Sequence, residues 1–257
     1  MHQPSRQAQV FSRAAHPGRW GEGRLIWLLV ALVGLMIAYP FFVHRPEVIS
    51  VFNLFQTAVL FLVVFAVCRK KSEFIPLAAV FSLFAGLSWL DILHLKDPTL
   101  NVVIIPGWAI FYAFAAVAVL SRIGRYQRIT VDEIAGAISA YILIGLFFTM
   151  LFLWIELLQP GSFEIRAQVN PNKLVDYSDF VLFSFATLTT LGYGDITPLT
   201  HLAQVLSVLE SMIGVLYVAV LVGGLVGMLI SEQLAKKHRQ DEASGTGPGD
   251  AKNGFRR

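Results

Sequence analysis

Thr189-Thr190-Leu191-Gly192-Tyr193-Gly194-Asp195 decides how this 257-residue chain reads. Glycines alternate with bulky residues, and Gly192 and Gly194 permit backbone angles that a residue with a Cβ resists. Immediately upstream, residues 180–189 form an apolar run, with Ser178 or Asp179 placed as an N-cap. A helix of that length extends about 15 Å, half the hydrocarbon thickness of a bilayer. Such a helix enters a membrane partway and stops, with its negative dipole end near Thr189. Taken alone, the run fits a segment lying on the membrane surface equally well. Gly192-Tyr193-Gly194 directly behind it favours the re-entrant form. Irregular backbone at membrane depth survives only where it lines a cavity or is buried in protein.

The rest of the chain implies that membrane. Hydrophobic residues make up 56% and charged residues 14%, against roughly 25% charged in soluble domains. The apolar residues fall into six runs: 25–43, 48–68, 75–95, 101–120, 134–158 and 200–230. Each is close to or longer than the roughly 20 residues that cross the hydrocarbon core as a helix. Charged or titratable exceptions are few: Asp91 and His94, Glu156, His201, and Glu210 deep in the last run.

Basic residues orient the spans. With both termini cytoplasmic, sixteen Lys and Arg fall on the cytoplasmic side and four (Arg45, Lys96, Arg166, Lys173) on the outer side. The positive-inside rule therefore favours six spans, the first a signal anchor rather than a cleaved signal. The pI of about 9.1 expresses this bias and does not point to nucleic acid. Cys68 is a lone thiol at the end of the second run, and His44 and His94 sit at loop edges without partnering carboxylates. None of the three makes a metal or haem site. No Walker loop, HExxH, CxxC cluster or Gly-x-Ser-x-Gly elbow is present, so nothing in the chain indicates an enzyme or a bound cofactor.

Thr190-Leu191-Gly192-Tyr193-Gly194, set between a half-length helix and a long last run, resembles the selectivity filter of tetrameric potassium channels. The resemblance covers about residues 131–233, as outer helix, pore helix, filter and inner helix. It implies that backbone carbonyls of Thr190, Leu191, Gly192, Tyr193 and Gly194 replace the hydration shell of K+. It also implies that Thr190 adds a hydroxyl ring at the inner mouth, while Leu191 and Tyr193 pack behind the carbonyls. Thr189 and Asp195 flank the filter as supports. Since each chain carries one filter segment, a complete ring requires a homotetramer.

The sequence departs from the commonest family pattern. Leu191 stands where Val or Ile is more usual, a conservative change. Phe183 stands where a Trp often supports the filter tyrosine, and Phe offers no hydrogen bond. Ala186 stands where some members carry Glu. Intramembrane acids are costly and functional by default, so Glu210 is expected to face the back of the pore helix, bond to hydroxyls or amides there, and compensate for Ala186. The alternative is a protonated, purely structural acid. Related pore modules show a similar stretch to Leu209-Glu210-Ser211-Met212-Ile213-Gly214. In the family a glycine at the Gly214 position is the gating hinge; close helix packing is the competing reason for a small residue there. The same register makes Val218, Val222 and Val226 a pore-lining stripe able to close by dewetting.

A voltage sensor needs arginines inside the fourth span, and residues 101–120 contain none. Arg122, Arg125 and Arg128 follow that span and suit a linker lying on anionic headgroups. The expected architecture is thus an all-α membrane protein. It comprises a cytoplasmic segment 1–24, a four-span domain 25–120, a basic interfacial linker 121–133, a pore domain 134–231 and a disordered cytoplasmic tail 232–257. The expected function is passive K+ conduction across the plasma membrane, without voltage gating. The alternatives are a weakly selective cation channel, against which Thr190 argues, and a transporter or membrane scaffold with a chance motif. Transporters tend to show internal repeats, and none is found here.

Overall fold

The computed structural model describes residues 23–42, 57, 82, 86, 98–123, 131–165 and 177–243, for some of them the backbone alone. Its elements are α1 (Arg24–Phe42), α2 (Pro98–Ile123), α3 (Val131–Leu158), β1 (Phe163–Ile165), α4 (Tyr177–Leu188), β2 (Ile196–Pro198) and α5 (His201–Ala243). Apart from residues 57, 82 and 86, the second and third expected spans lie outside the described residues, and so do Cys68, His44, Asp91, His94, Arg125 and Arg128.

Among the described residues three helical stretches are long and apolar enough to cross a membrane: Asn101–Ser121, Val131–Leu158 and His201–Leu221. Arg24–Ile37 and Tyr177–Leu188 are shorter apolar helices. α4 starts at Tyr177, so Ser178 and Asp179 lie in its first turn rather than at an N-cap. An acid in a first turn still complements the positive end of the dipole. α5 continues to Ala243 as one helix, into the tail 232–257 expected to be disordered.

Two apolar clusters organise the packing. The first joins α1, α2 and α3 through Leu28, Leu32, Tyr112, Val119, Leu143 and their neighbours. Asp132 Oδ1, at the start of α3, accepts the Leu25 and Ile26 amides at 3.0 and 3.1 Å, which caps α1 in place of a residue of its own. At the other end of α3, Trp154 Nε1 donates to Val102 O of α2 at 3.2 Å. α1 therefore runs parallel to α3, and α2 runs antiparallel to it.

The second cluster sits where α3 ends: Phe148, Phe152 and Ile155 meet Phe163, Ile165, Phe180, Phe183, Ile196 and Ala203. Phe163 on β1 stacks edge-on against Phe152, Phe180 and Phe183, with centroids 5.6, 5.0 and 5.4 Å away. β1 and β2 pair antiparallel, Glu164 opposite Thr197, in a short ladder that the sequence reading did not anticipate. The ladder ties the turn after α3 to the residues immediately following Asp195.

Candidate functional site

α4 ends in a Schellman motif, and the motif aims the segment that follows. Thr190 N–H donates to Thr187 O at 3.0 Å, and Leu191 N–H to Ala186 O at 2.7 Å. These are the two bonds that close a helix whose C′ residue is left-handed. That residue is Thr190, with φ of 58°. Glycine usually takes this position, and a β-branched residue there is strained by about 1–3 kcal/mol. Gly192 N–H also turns back to Ala186 O, at 3.1 Å. A trans peptide sets its carbonyl opposite its N–H. The carbonyls of Thr189, Thr190 and Leu191 consequently point away from α4.

The left-handed state recurs at alternate positions: Thr190, Gly192 and Gly194 have φ of 58°, 57° and 73°, while Leu191 and Tyr193 are not in that region. Alternation of this kind turns successive carbonyls toward one side, which gives a row of oxygens suited to a dehydrated cation. Leu191 is 57% exposed and Tyr193 61% exposed. Thr189 Oγ1 donates to Phe185 O at 2.6 Å, so its hydroxyl is spent on α4. Phe183 is buried in the aromatic cluster, its ring centroid 5.0 Å from that of Phe152. Between α4 and the segment 192–196 lies a cavity of about 40 Å³ lined by Phe183, Ala186, Thr187, Tyr193 and Asp195, among others.

Three contacts hold α4 from behind. Ser184 Oγ lies 2.7 Å from Gly145 O on α3 and 2.5 Å from Glu210 Oε1 on α5, and Glu210 is fully buried. Tyr141 Oη on α3 donates to Leu188 O, the last carbonyl of α4, at 3.1 Å. Tyr217 Oη on α5 donates to Ala137 O at 2.6 Å, and its ring lies 5.4 Å from that of Tyr141. Two glycines make the approaches possible. A Cβ at Gly145 would sit 2.7 Å from the Phe185 ring. A Cβ at Gly214 would fall on the Leu188 carbonyl oxygen, 2.9 Å from its carbon. Gly214 thus seats the end of α4 directly against α5. Val218 is exposed, while the side chains of Val222, Val226 and Arg122 lie outside the described residues.

The C-terminal end of α3 has a brace that the sequence reading missed. Glu156 Oε1 accepts the Gly161 amide at 2.8 Å and Oε2 accepts the Phe163 amide at 3.2 Å. Leu199 N–H then donates to Ser162 O at 2.8 Å, extending the ladder. The only signal was an acid five residues before Gly161, which is too common to single out. Glu156→Ala removes the carboxylate that accepts from both amides and is expected to cost about 1–3 kcal/mol. The check is hydrogen exchange at Leu199, which speeds up if Glu156 holds the ladder and stays unchanged if it does not.

Comparison with known proteins bears on the same region. A family model described as "Ion channel" matches residues 138–231. The two pore potassium channel c of Oryza sativa subsp. japonica is 38% identical over 74 residues, which are 29% of this chain and 15% of that protein. The potassium channel protein kcv of Paramecium bursaria Chlorella virus 1 is 36% identical over 67 residues, covering 26% of this chain and 71% of the viral one. The chain therefore spans most of the viral relative but only a small part of the rice relative's length.

Proposed function

This chain belongs to the potassium channel family, and we propose on that footing that four copies form a passive, potassium-selective pore. The observation that carries the reading is the alternating left-handed backbone at Thr190, Gly192 and Gly194, with the Leu191 and Gly192 amides committed to Ala186 O. It leaves a row of carbonyls free to face an axis. A single row surrounds nothing, so the ion needs rows from other copies. In one subunit α5 exposes an apolar surface that includes Leu202, Val205, Val208, Met212 and Leu216, which a neighbouring copy would cover.

In this reading K+ is the cargo, held by the carbonyls of Thr190, Leu191, Gly192, Tyr193 and Gly194. Thr189, Asp195, Phe183 and Glu210 support the filter. Gly214 serves the inner helix as hinge and packing site, and Val218, Val222 and Val226 line the pore below. The chain sits in the plasma membrane with both termini cytoplasmic and six spans, and Arg122, Arg125 and Arg128 rest on anionic headgroups. The arginine-free stretch 101–120 supports gating by something other than voltage.

The test is the reversal potential of purified protein in a bilayer with K+ on one side and Na+ on the other. A value near the K+ equilibrium potential is expected. A value near zero replaces the reading with a weakly selective cation channel. Absence of current replaces it with a transporter or scaffold.

A further inference from the structure

We propose that Glu210 carries a proton on Oε1 and donates it to Ser184 Oγ, so that a directed chain of hydrogen bonds runs from α5 through α4 to Gly145 O on α3. The proposal rests on the channel reading only for its functional consequence; its geometry stands alone.

The hydrogens available at Ser184 fix the direction of the chain. Ser184 Oγ makes two short oxygen–oxygen contacts, 2.7 Å to Gly145 O and 2.5 Å to Glu210 Oε1. Each distance needs a hydrogen between the oxygens, or two lone pairs would face one another. A serine hydroxyl brings one hydrogen and a backbone carbonyl brings none. The second hydrogen must come from Glu210. The neighbouring hydroxyls have none to lend, since Tyr141 spends its hydrogen on Leu188 O and Tyr217 on Ala137 O.

Charge balance leads to the same answer. Glu210 is fully buried, and the stretches 134–155, 180–192 and 202–221 around it contain no Lys, Arg or His. Among the described residues a carboxylate there would have no counter-ion in these stretches, which is prohibitive in an apolar interior. Glu210 Oε2 is buried with no hydrogen-bond partner. A neutral carbonyl oxygen tolerates that far better than half of a charged carboxylate.

The proton makes Glu210 a positioning residue. It fixes the polarity of the chain: α5 donates, Ser184 receives and passes its own hydrogen on, and Gly145 accepts. The half-length helix is thereby held between its two long neighbours at a level three residues before Thr187, whose carbonyl belongs to the Schellman motif.

Infrared spectroscopy of the purified full chain in lipid vesicles at neutral pH tests this. Wild-type protein is expected to show a protonated-carboxylic-acid C=O band that disappears in Glu210→Gln and shifts in Ser184→Ala. Absence of a band that depends on Glu210 overturns the proposal, whether or not current is seen. The functional arm uses K+ current. Glu210→Gln keeps a donor of the same shape and retains current within about twofold, whereas Glu210→Ala loses about tenfold or more in open probability, the scale of one buried partner left unmet. A Gln variant that fails like the Ala variant overturns the neutral-donor role. A Glu210-dependent band in a protein without K+ current upholds the proton and overturns the channel reading instead.

Discussion

Gly214→Ala is expected to reduce potassium current by about a hundredfold or more. The added methyl has one place to go, and the Leu188 carbonyl oxygen already occupies it. Because that atom is backbone at the end of α4, no side-chain rotation relieves the clash. Either α5 moves outward or α4 moves toward the filter. Overpacking of this kind costs roughly 3 kcal/mol or more at a rigid site, and each 1.4 kcal/mol is about a tenfold change in an equilibrium. The Tyr141 bond to the same carbonyl leaves α4 little freedom to yield. Gly223→Ala is the control, since in one subunit a Cβ there meets nothing within 4 Å. The experiment also separates two demands on Gly214. Loss of a hinge alone lowers opening and leaves thermal stability unchanged or raised, because alanine favours helix. Loss of the seat lowers both current and unfolding temperature. A Gly214→Ala channel that conducts normally would show that α4 and α5 do not meet as described.

Gly192→Ala and Gly194→Ala are expected to remove K+ over Na+ discrimination. Their φ angles of 57° and 73° place them in the left-handed region, which costs an L-residue about 1–2 kcal/mol. In the proposed ring of four the cost would recur four times, roughly 4–8 kcal/mol in all. Thr190 already spends the same kind of strain in the same segment, so little is left to absorb more. The measurement is the shift of reversal potential toward zero under opposed K+ and Na+ gradients. Gly161→Ala controls for strain as such. Its φ of 86° is equally left-handed, but it lies in the turn after α3. That variant is expected to lose stability and keep selectivity. Equal loss of selectivity in all three would detach selectivity from the filter backbone.

Much of this arrangement was legible in the sequence, and the reasons differ from element to element. The half-length helix and the long last helix follow from the lengths of their apolar runs, and the need for left-handed backbone follows from Gly192 and Gly194. Thr190 was readable as a hydroxyl but not as a strained C′ residue, because threonine has no preference for that role; the Schellman bonds to residues 186 and 187 set its conformation. Glu210 stood out as an acid in an apolar run. Ser184 did not, since a serine on a helix face is ordinary until an acid and a carbonyl close on it from two sides. The β1–β2 ladder left no trace, because three-residue strands are too short to show alternation and their pairing joins positions far apart in the chain. The reading of Gly214 weighed flexibility against packing without naming what it packs on. Only the fold brings the Leu188 carbonyl there.

The ladder between β1 and β2 carries a consequence for how this chain tolerates change. Pairing of Ile165 with Ile196 closes a loop that contains α4 and the filter. Closure entropy depends only on the logarithm of loop length, so doubling that whole loop costs about 0.6 kcal/mol, and lengthening only the stretch between Ile165 and Tyr177 costs less. The clasp insulates the filter from whatever is inserted ahead of α4. Insertion of an epitope or a tethering site between Ile165 and Tyr177 is therefore expected to leave the proposed filter in place.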